Sequence, residues 1–208
     1  MLQSDLLNQY NKIAYLYNSL SGIIFGKRLQ QIQQELIQYL PKEGNLLILG
    51  GGNGKILPLI YLHAPLLSID YVEASSSMIK IAKKATPKNQ KITFHHSDVN
   101  NYEQKHKIIY AGFFLDLFNE KQIEELILKL GNKRSKTKWY VADFCINKNT
   151  SYHLIRRFQL KITILFFRIT TRHAINYLPK IHLVFEKMGY KSRKNKNNTT
   201  FIFCDVFE

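Results

Sequence analysis

The sequence predicts an α/β protein, a seven-stranded and mostly parallel sheet with helices on both faces, formed as a single domain over residues 1–208. Three observations carry this. Apolar strand-like runs alternate with helix-like periodicity from residue 46 to residue 144, the pattern that sets parallel strands between covering helices. The short apolar run 46–49 stops at Gly50-Gly51-Gly52-Asn53-Gly54, as a buried strand does when it must turn sharply into a helix. Two acidic residues, Glu73 and Asp98, fall at the ends of the next two strand-like runs, the edge where open α/β sheets bind ligands.

The elements follow in order. Residues 4–20 and 27–40 read as helices, and in the second Leu29, Ile32, Leu36, Ile37 and Leu40 make one apolar face that Pro41 and Gly44 end. Next come strand 46–49, helix 55–63, strand 67–72, helix 76–85, strand 91–95, strand 107–112, helix 120–130 and strand 138–144. A helix near 176–188, a short strand near 190–194 and a final strand at 200–206 complete the sheet. Between them, 151–172 reads as a helical insertion after the fifth strand. Leu154, Phe158, Ile162, Leu165 and Ile169 fall on one face, and Arg157, Lys161, Arg168 and Arg172 on another. Leu160, Ile164 and Phe167 widen the apolar surface. The segment suits a core-facing helix with a solvated basic face, a cap over an apolar substrate, or a helix lying on a membrane surface.

The glycine loop narrows the choice of ligand. A phosphate-binding loop needs a glycine separated by four residues from Gly54-Lys55 and a Ser or Thr after it; the chain has Leu49 and Ile56. The dinucleotide pattern needs a third glycine where Lys55 stands. What is present is Gly-x-Gly-x-Gly at 50, 52 and 54. With this loop, the run LLSIDYVEASSSM (66–78), KITFHHSD (91–98) and KIIYAGFFLDLF (107–118), the chain resembles the class I methyltransferases, which have a Rossmann-like fold and bind S-adenosyl-L-methionine. The N-terminal YNKIAYLYNSL (10–20) and FGKRLQ (25–30) resemble the group that methylates quinone precursors and other small molecules.

The resemblance implies a division into an N-terminal helical lid (1–44), a cofactor-binding half (45–145) and a part with the insertion and the end of the sheet (146–208). It implies that Gly50, Gly51, Gly52, Asn53 and Gly54 cradle the cofactor, and that Glu73 accepts hydrogen bonds from the ribose hydroxyls. Met78 would pack against the adenine and Asp98 would hydrogen-bond its amino group, and Ala74, Ser97 and Val99 would also contact the cofactor. Tyr17 and Tyr10 are the lid residues, over cofactor and substrate respectively. Phe113, Phe114 and Tyr17 are expected to converge near the methyl group, with Phe114 and Asp116 toward the substrate. The chain departs from the family at Ile48, two residues before Gly50, where a carboxylate usually helps to hold the amino group of the methionine part. An aspartate at 48 is therefore expected to tighten cofactor binding.

Composition sets the remaining bounds. Hydrophobic residues make up 45%, ordinary for a globular protein with a substantial core. No secretory h-region and no apolar run of membrane-spanning length is visible, so a cytoplasmic protein is expected. Cys145 and Cys204 lie in apolar runs without metal spacing, as reduced thiols do, and no metal is expected. The net charge of +15 draws anionic partners, or reflects a lysine-rich composition at large. The basic stretches 132–138 and 191–198 keep RNA as the alternative acceptor, although no Asn-Pro-Pro-Tyr motif for base methylation is present. A third alternative is a family member that does not transfer methyl groups.

Methyl transfer needs a base only when the acceptor must lose a proton. His95, His96, Asp116, His153 and His173 are the candidates. Asp116 is set among aromatics in FFLDLF, where it serves either the chemistry or as a cap for the helix starting near Glu120. The acceptor read from this pattern is a small apolar or amphipathic molecule, with 151–172 and the N-terminal helix as the roof of its pocket.

Overall fold

The apolar run at 46–49 is the buried half of a longer strand. In the computed structural model, which describes residues 28–88, 90–132, 136–145, 177–194 and 202–208, β1 runs over Glu43–Leu49. Its first three residues are exposed and carry no apolar signal. They are extended because Glu43, Gly44 and Asn45 pair with Leu66, Leu67 and Ser68 of the neighbouring strand. The other elements are α1 (Arg28–Ile37), α2 (Leu57–His63), β2 (Leu66–Glu73), α3 (Ser76–Ala85), β3 (Ile92–His96), β4 (Ile108–Gly112), α4 (Glu120–Leu130), β5 (Lys138–Phe144), α5 (Ile181–Lys187), β6 (Ser192–Lys194) and β7 (Ile202–Phe207).

The seven strands form one sheet in the order β3-β2-β1-β4-β5-β7-β6. β1 pairs in parallel with β2 and β4, β2 with β3, and β4 with β5, while β7 runs antiparallel to both β5 and β6. Chain order reverses between β1 and β4, so their carboxyl ends border the crevice where such sheets take ligands.

β1 is buried on both faces, as a central parallel strand must be. Its alternation sends Leu46 and Ile48 into one core and Leu47 and Leu49 into the other. The first core holds Leu36 of α1, Ile60 and Tyr61 of α2, Ala82 of α3, and Tyr71 and Tyr110 from the sheet. The second holds Leu126 and Ile127 of α4 and Phe185 of α5 against Trp139 and Phe207. The face expected on α1 is present, with Ile32, Leu36 and Ile37 buried and Leu40 just beyond them.

Helix ends depart from expectation for local reasons. α1 stops at Ile37 because the next three residues bond three back, as Tyr39 N–H does to the Leu36 carbonyl. α2 begins at Leu57 with Pro58 in its first turn, where no donor is lost. α5 begins only at Ile181, because Pro179 disfavours helical backbone at Leu178. α4 is opened by Asn119 and Gln122, which form a capping box, so Asp116 does not cap it. The expected helices at 4–20 and 151–172 lie outside the described residues. Among the described residues no helix is long and apolar enough to cross a membrane, and neither Cys145 nor Cys204 forms a disulfide.

Candidate cofactor and active site

The glycine loop leaves β1 at the crevice with φ of +58°, +62° and +73° at Gly50, Gly52 and Gly54, all in the left-handed region. Two of these have different reasons to be glycine. A Cβ on Gly54 would stand 2.7 Å from Cα and Cβ of Ala82, so this glycine lets the loop pack on α3. A Cβ on Gly52 would meet nothing within 4 Å, so this glycine exposes backbone toward the crevice.

Two side chains of β2 fix that backbone. The Tyr71 hydroxyl donates to the Gly52 carbonyl at 2.9 Å, and the Gly52 N–H donates to Glu73 Oε2 at 2.9 Å. Glu73 Oε1 accepts the Ser75 N–H at 2.8 Å. Glu73 is therefore a brace of the loop as well as the carboxylate at the end of β2. Each of its oxygens keeps a further acceptor direction, enough for a pair of hydroxyls. Burial raises its pKa, against the lowering effect of the backbone N–H groups and of His96.

The neighbouring strand ends are tied in the same way. Ser75 caps α3 by accepting the Met78 N–H at 3.3 Å, which buries Met78 in the first turn. The Ser97 N–H donates to the Glu73 carbonyl at 3.2 Å, and His96 Nε2 lies 3.1 Å from the Ala74 carbonyl. Asp98 Oδ1 accepts the Asn100 N–H at 2.8 Å and caps the short turn Val99–Asn101, whose Val99 is buried. Asn53 Oδ1 accepts the Lys55 N–H at 3.2 Å inside the loop.

At the end of β4 the backbone is strained. Phe113 has φ of +55°, and among the described residues it is the non-glycine residue with positive φ. Its N–H donates to the Ala142 carbonyl at 2.7 Å, which holds the kink. The kink parts the two adjacent rings. Phe113 packs on Phe144 with centroids 5.2 Å apart, while Phe114 enters the opposite core against Phe118, also at 5.2 Å. A Cβ on Gly50 would stand 2.2 Å from Phe114 Cδ2, so Phe114 is a floor beneath the loop. The expectation that Phe113 and Phe114 converge on one point is corrected on this ground.

Asp116 follows in the turn Leu115–Leu117 and meets a residue that sequence reasoning missed. Asp143 of β5 is fully buried; its Oδ2 accepts the N–H of Leu115 at 2.9 Å and of Asp116 at 3.2 Å, and its Oδ1 the N–H of Phe144 at 2.8 Å. The Asp116 Oδ1 is buried without a hydrogen-bond partner among the described residues, and its carboxyl lies close enough to that of Asp143 for the two to act on each other electrostatically. Burial raises Asp116 to about 7 and pushes Asp143 well above the usual carboxylate range, with the Asp116 charge adding to the second shift. Two carboxyls this close do not both ionise, so the pair retains a proton at neutral pH. One signal was in the sequence: Asp143 is a lone acid in the otherwise apolar run WYVADF.

His95 and His106 are engaged elsewhere. His95 donates to Asp70 Oδ1 at 2.8 Å, and Asp70 also lies 3.8 Å from His106, whose Nε2 is 2.9 Å from the Tyr102 hydroxyl. No group of three potential metal ligands occurs among the described residues. Tyr10, Tyr17, His153, His173 and the segment 151–172 lie outside them.

The fold is shared with known enzymes. The mitomycin 7-O-methyltransferase superposes with a TM-score of 0.62 at 11% identity, over 88% of this chain and 54% of that one. An O-methyltransferase family protein from Burkholderia thailandensis gives 0.68 at 13%, over 96% and 62%. This chain has the class I methyltransferase fold. It thus spans just over half to three-fifths of the length of these two. It spans 98% of the magnesium protoporphyrin IX methyltransferase of Synechocystis PCC 6803, solved with SAH bound, which covers 99% of this chain with a TM-score of 0.61 at 12% identity. No family model matches the sequence, and no curated protein matches it.

Proposed function

We propose that the protein is an S-adenosyl-L-methionine-dependent methyltransferase acting on a small, apolar or amphipathic acceptor. The observation that carries this is the arrangement at the crevice. Gly52 presents open backbone there, and Glu73 and Asp98 stand at the ends of the next two strands. Gly50, Gly51, Asn53 and Gly54 complete the cradle. Glu73 holds the ribose, and Ala74, Met78, Ser97, Asp98 and Val99 enclose the adenine. Phe113 borders the methionine part, with Tyr17 and Tyr10 in the lid. SAH, bound in the protoporphyrin enzyme, is what remains of this cofactor once its methyl group has left.

The cofactor supplies an activated methyl group and its own leaving group, so the protein has mainly to position and to exclude water. Where an acceptor must lose a proton, Asp116 is the base. Its pKa of about 7 suits proton transfer near neutral pH, and Asp143 holds its backbone in place. Phe113 and Phe144 give an apolar wall to the acceptor, with 151–172 as its cap and its contact with a membrane surface, in a cytoplasmic protein.

Calorimetry with the cofactor and with SAH tests the first part, and transfer of labelled methyl groups to quinol-like and other small amphipathic molecules tests the second. No binding of either ligand at millimolar concentration would sink the enzyme reading. Methyl transfer to RNA, with affinity falling steeply in salt, would replace the small acceptor by nucleic acid.

A further inference from the structure

Tyr110 stands on β4 in register with Ile48 of β1 and Tyr140 of β5. Its side chain is 2% exposed and lies in the core on the α1 side of the sheet, and its hydroxyl has no hydrogen-bond partner among the described residues. A buried phenol without a partner is costly, and phenylalanine would fill the same space at no such cost. The hydroxyl therefore calls for an explanation.

Its position supplies one. The ring leans along the strand over Gly112, the last residue of β4. A Cβ on Gly112 would stand 2.8 Å from Tyr110 Cε1 and 3.0 Å from its hydroxyl oxygen. Gln33 of α1 reaches the same place, with its Nε2 3.0 Å from that Cβ. An orphan hydroxyl and a primary amide thus share the space over the carboxyl end of β4. Leu49 pairs with Ala111, so Gly50 and Gly112 leave the two strands side by side at the crevice.

The strand order gives this spot a meaning. With the adenosine on Glu73 of β2 and Asp98 of β3, the rest of the cofactor runs along the sheet edge across β1 toward β4. Its far end carries an ammonium and a carboxylate, and the apolar Ile48, 1% exposed in the same core, offers neither a partner. We propose that Tyr110 and Gln33 are the polar anchor for the amino-acid end of the cofactor. The neutral phenol can both donate to a carboxylate and accept from an ammonium, as can the amide. This rests on the cofactor reading above.

The test compares two ligands by calorimetry. SAH carries the amino-acid end, and 5′-methylthioadenosine shares its adenosine and sulfur but lacks it. Wild-type protein is expected to bind SAH the more tightly. Tyr110→Phe should weaken SAH about tenfold or more while leaving methylthioadenosine within about twofold, and Gln33→Leu should act in the same direction. Without ligand, Tyr110→Phe should melt no lower than wild type, since it removes only an unpartnered hydroxyl, so a lost fold cannot mimic the result. Equal affinity for SAH in wild type and Tyr110→Phe, or equal loss of both ligands, overturns the anchor. Wild type that binds both ligands alike also overturns it and leaves the cofactor reading intact, whereas wild type that binds neither overturns both.

Discussion

Glu73 Oε2 accepts the Gly52 N–H at 2.9 Å, so the carboxylate that ends β2 also shapes the loop that ends β1. A hydrogen bond to a charged group is worth about 1.5–3 kcal/mol. Glu73→Ala removes the bonds to Gly52 and Ser75 together with those proposed to the ribose. Affinity for SAH should fall roughly 10- to 150-fold by calorimetry, and amide exchange at Gly52 should quicken even without ligand. Burial raises the Glu73 pKa, so affinity should begin to fall on acidification at a higher pH than an ordinary carboxylate would give.

The glycines of the loop should separate in their effects. Gly52→Ala meets open space, and its cost is the backbone at φ of +62°, about 1–2 kcal/mol. The variant should fold and lose cofactor affinity. Gly54→Ala combines φ of +73° with a Cβ 2.7 Å from the backbone of Ala82, so α3 must shift. Its melting temperature should fall well below that of Gly52→Ala. Equal melting of the two would show that α3 does not rest on the loop as described.

The pair Asp116 and Asp143 makes stability depend on pH. Folding raises Asp116 from 3.8 to about 7 and raises Asp143 further, so the folded state binds protons more tightly than the unfolded chain. Their contribution is whole below pH 3.8 and is lost as pH rises through about 7. The urea midpoint should therefore decline from pH 6 to pH 9. Asp143→Asn keeps an acceptor for the N–H groups of Leu115 and Asp116 while removing one charge, so it should flatten that decline. His106 acts on the other side: burial lowers its pKa below 6.5, so its contribution is present above pH 6.5 and is lost as pH falls. A decline above pH 7 that Asp143→Asn leaves unchanged would mean that the pair is not its source.

Much of this was legible because it is local. A strand that is buried on both faces shows as an apolar run, and a tight strand-to-helix turn shows as glycines, so the buried part of β1, the loop and the succession of the first five strands along the chain could be read. Glu73 and Asp98 could be placed because the first ends β2 and the second stands two residues past β3. Pairing was not legible: β1 extends to Glu43 only through its register with β2, and no residue at 43–45 signals it. Nor was the corner at Asp143, whose partners at 115 and 116 come from another strand end. The parting of Phe113 from Phe114 depends on one strained φ, which the sequence FF does not announce.

Position 48 shows how burial revises a reading made from a motif. The motif suggests that Ile48→Asp would give the methionine amino group a carboxylate and tighten the cofactor. In the fold, Ile48 is 1% exposed, sits in the first core with Leu46 and Ile69, and pairs with Tyr71 on one side and Tyr110 on the other. Breaking the balance of a buried site with an unpaired charge costs about 3–5 kcal/mol, a large part of the roughly 5–15 kcal/mol that holds a domain folded. The orphan hydroxyl of Tyr110 could offset some of this, but a single neutral hydrogen bond returns only about 0.5–1.5 kcal/mol. Ile48→Asp should accordingly lower the urea midpoint sharply, whereas Ile48→Val, which removes one methylene, should cost about 0.5–1.5 kcal/mol. If Ile48→Asp instead unfolds at the wild-type midpoint and binds SAH more tightly, then position 48 faces the ligand, and the anchor for the amino-acid end must be sought there instead of at Tyr110.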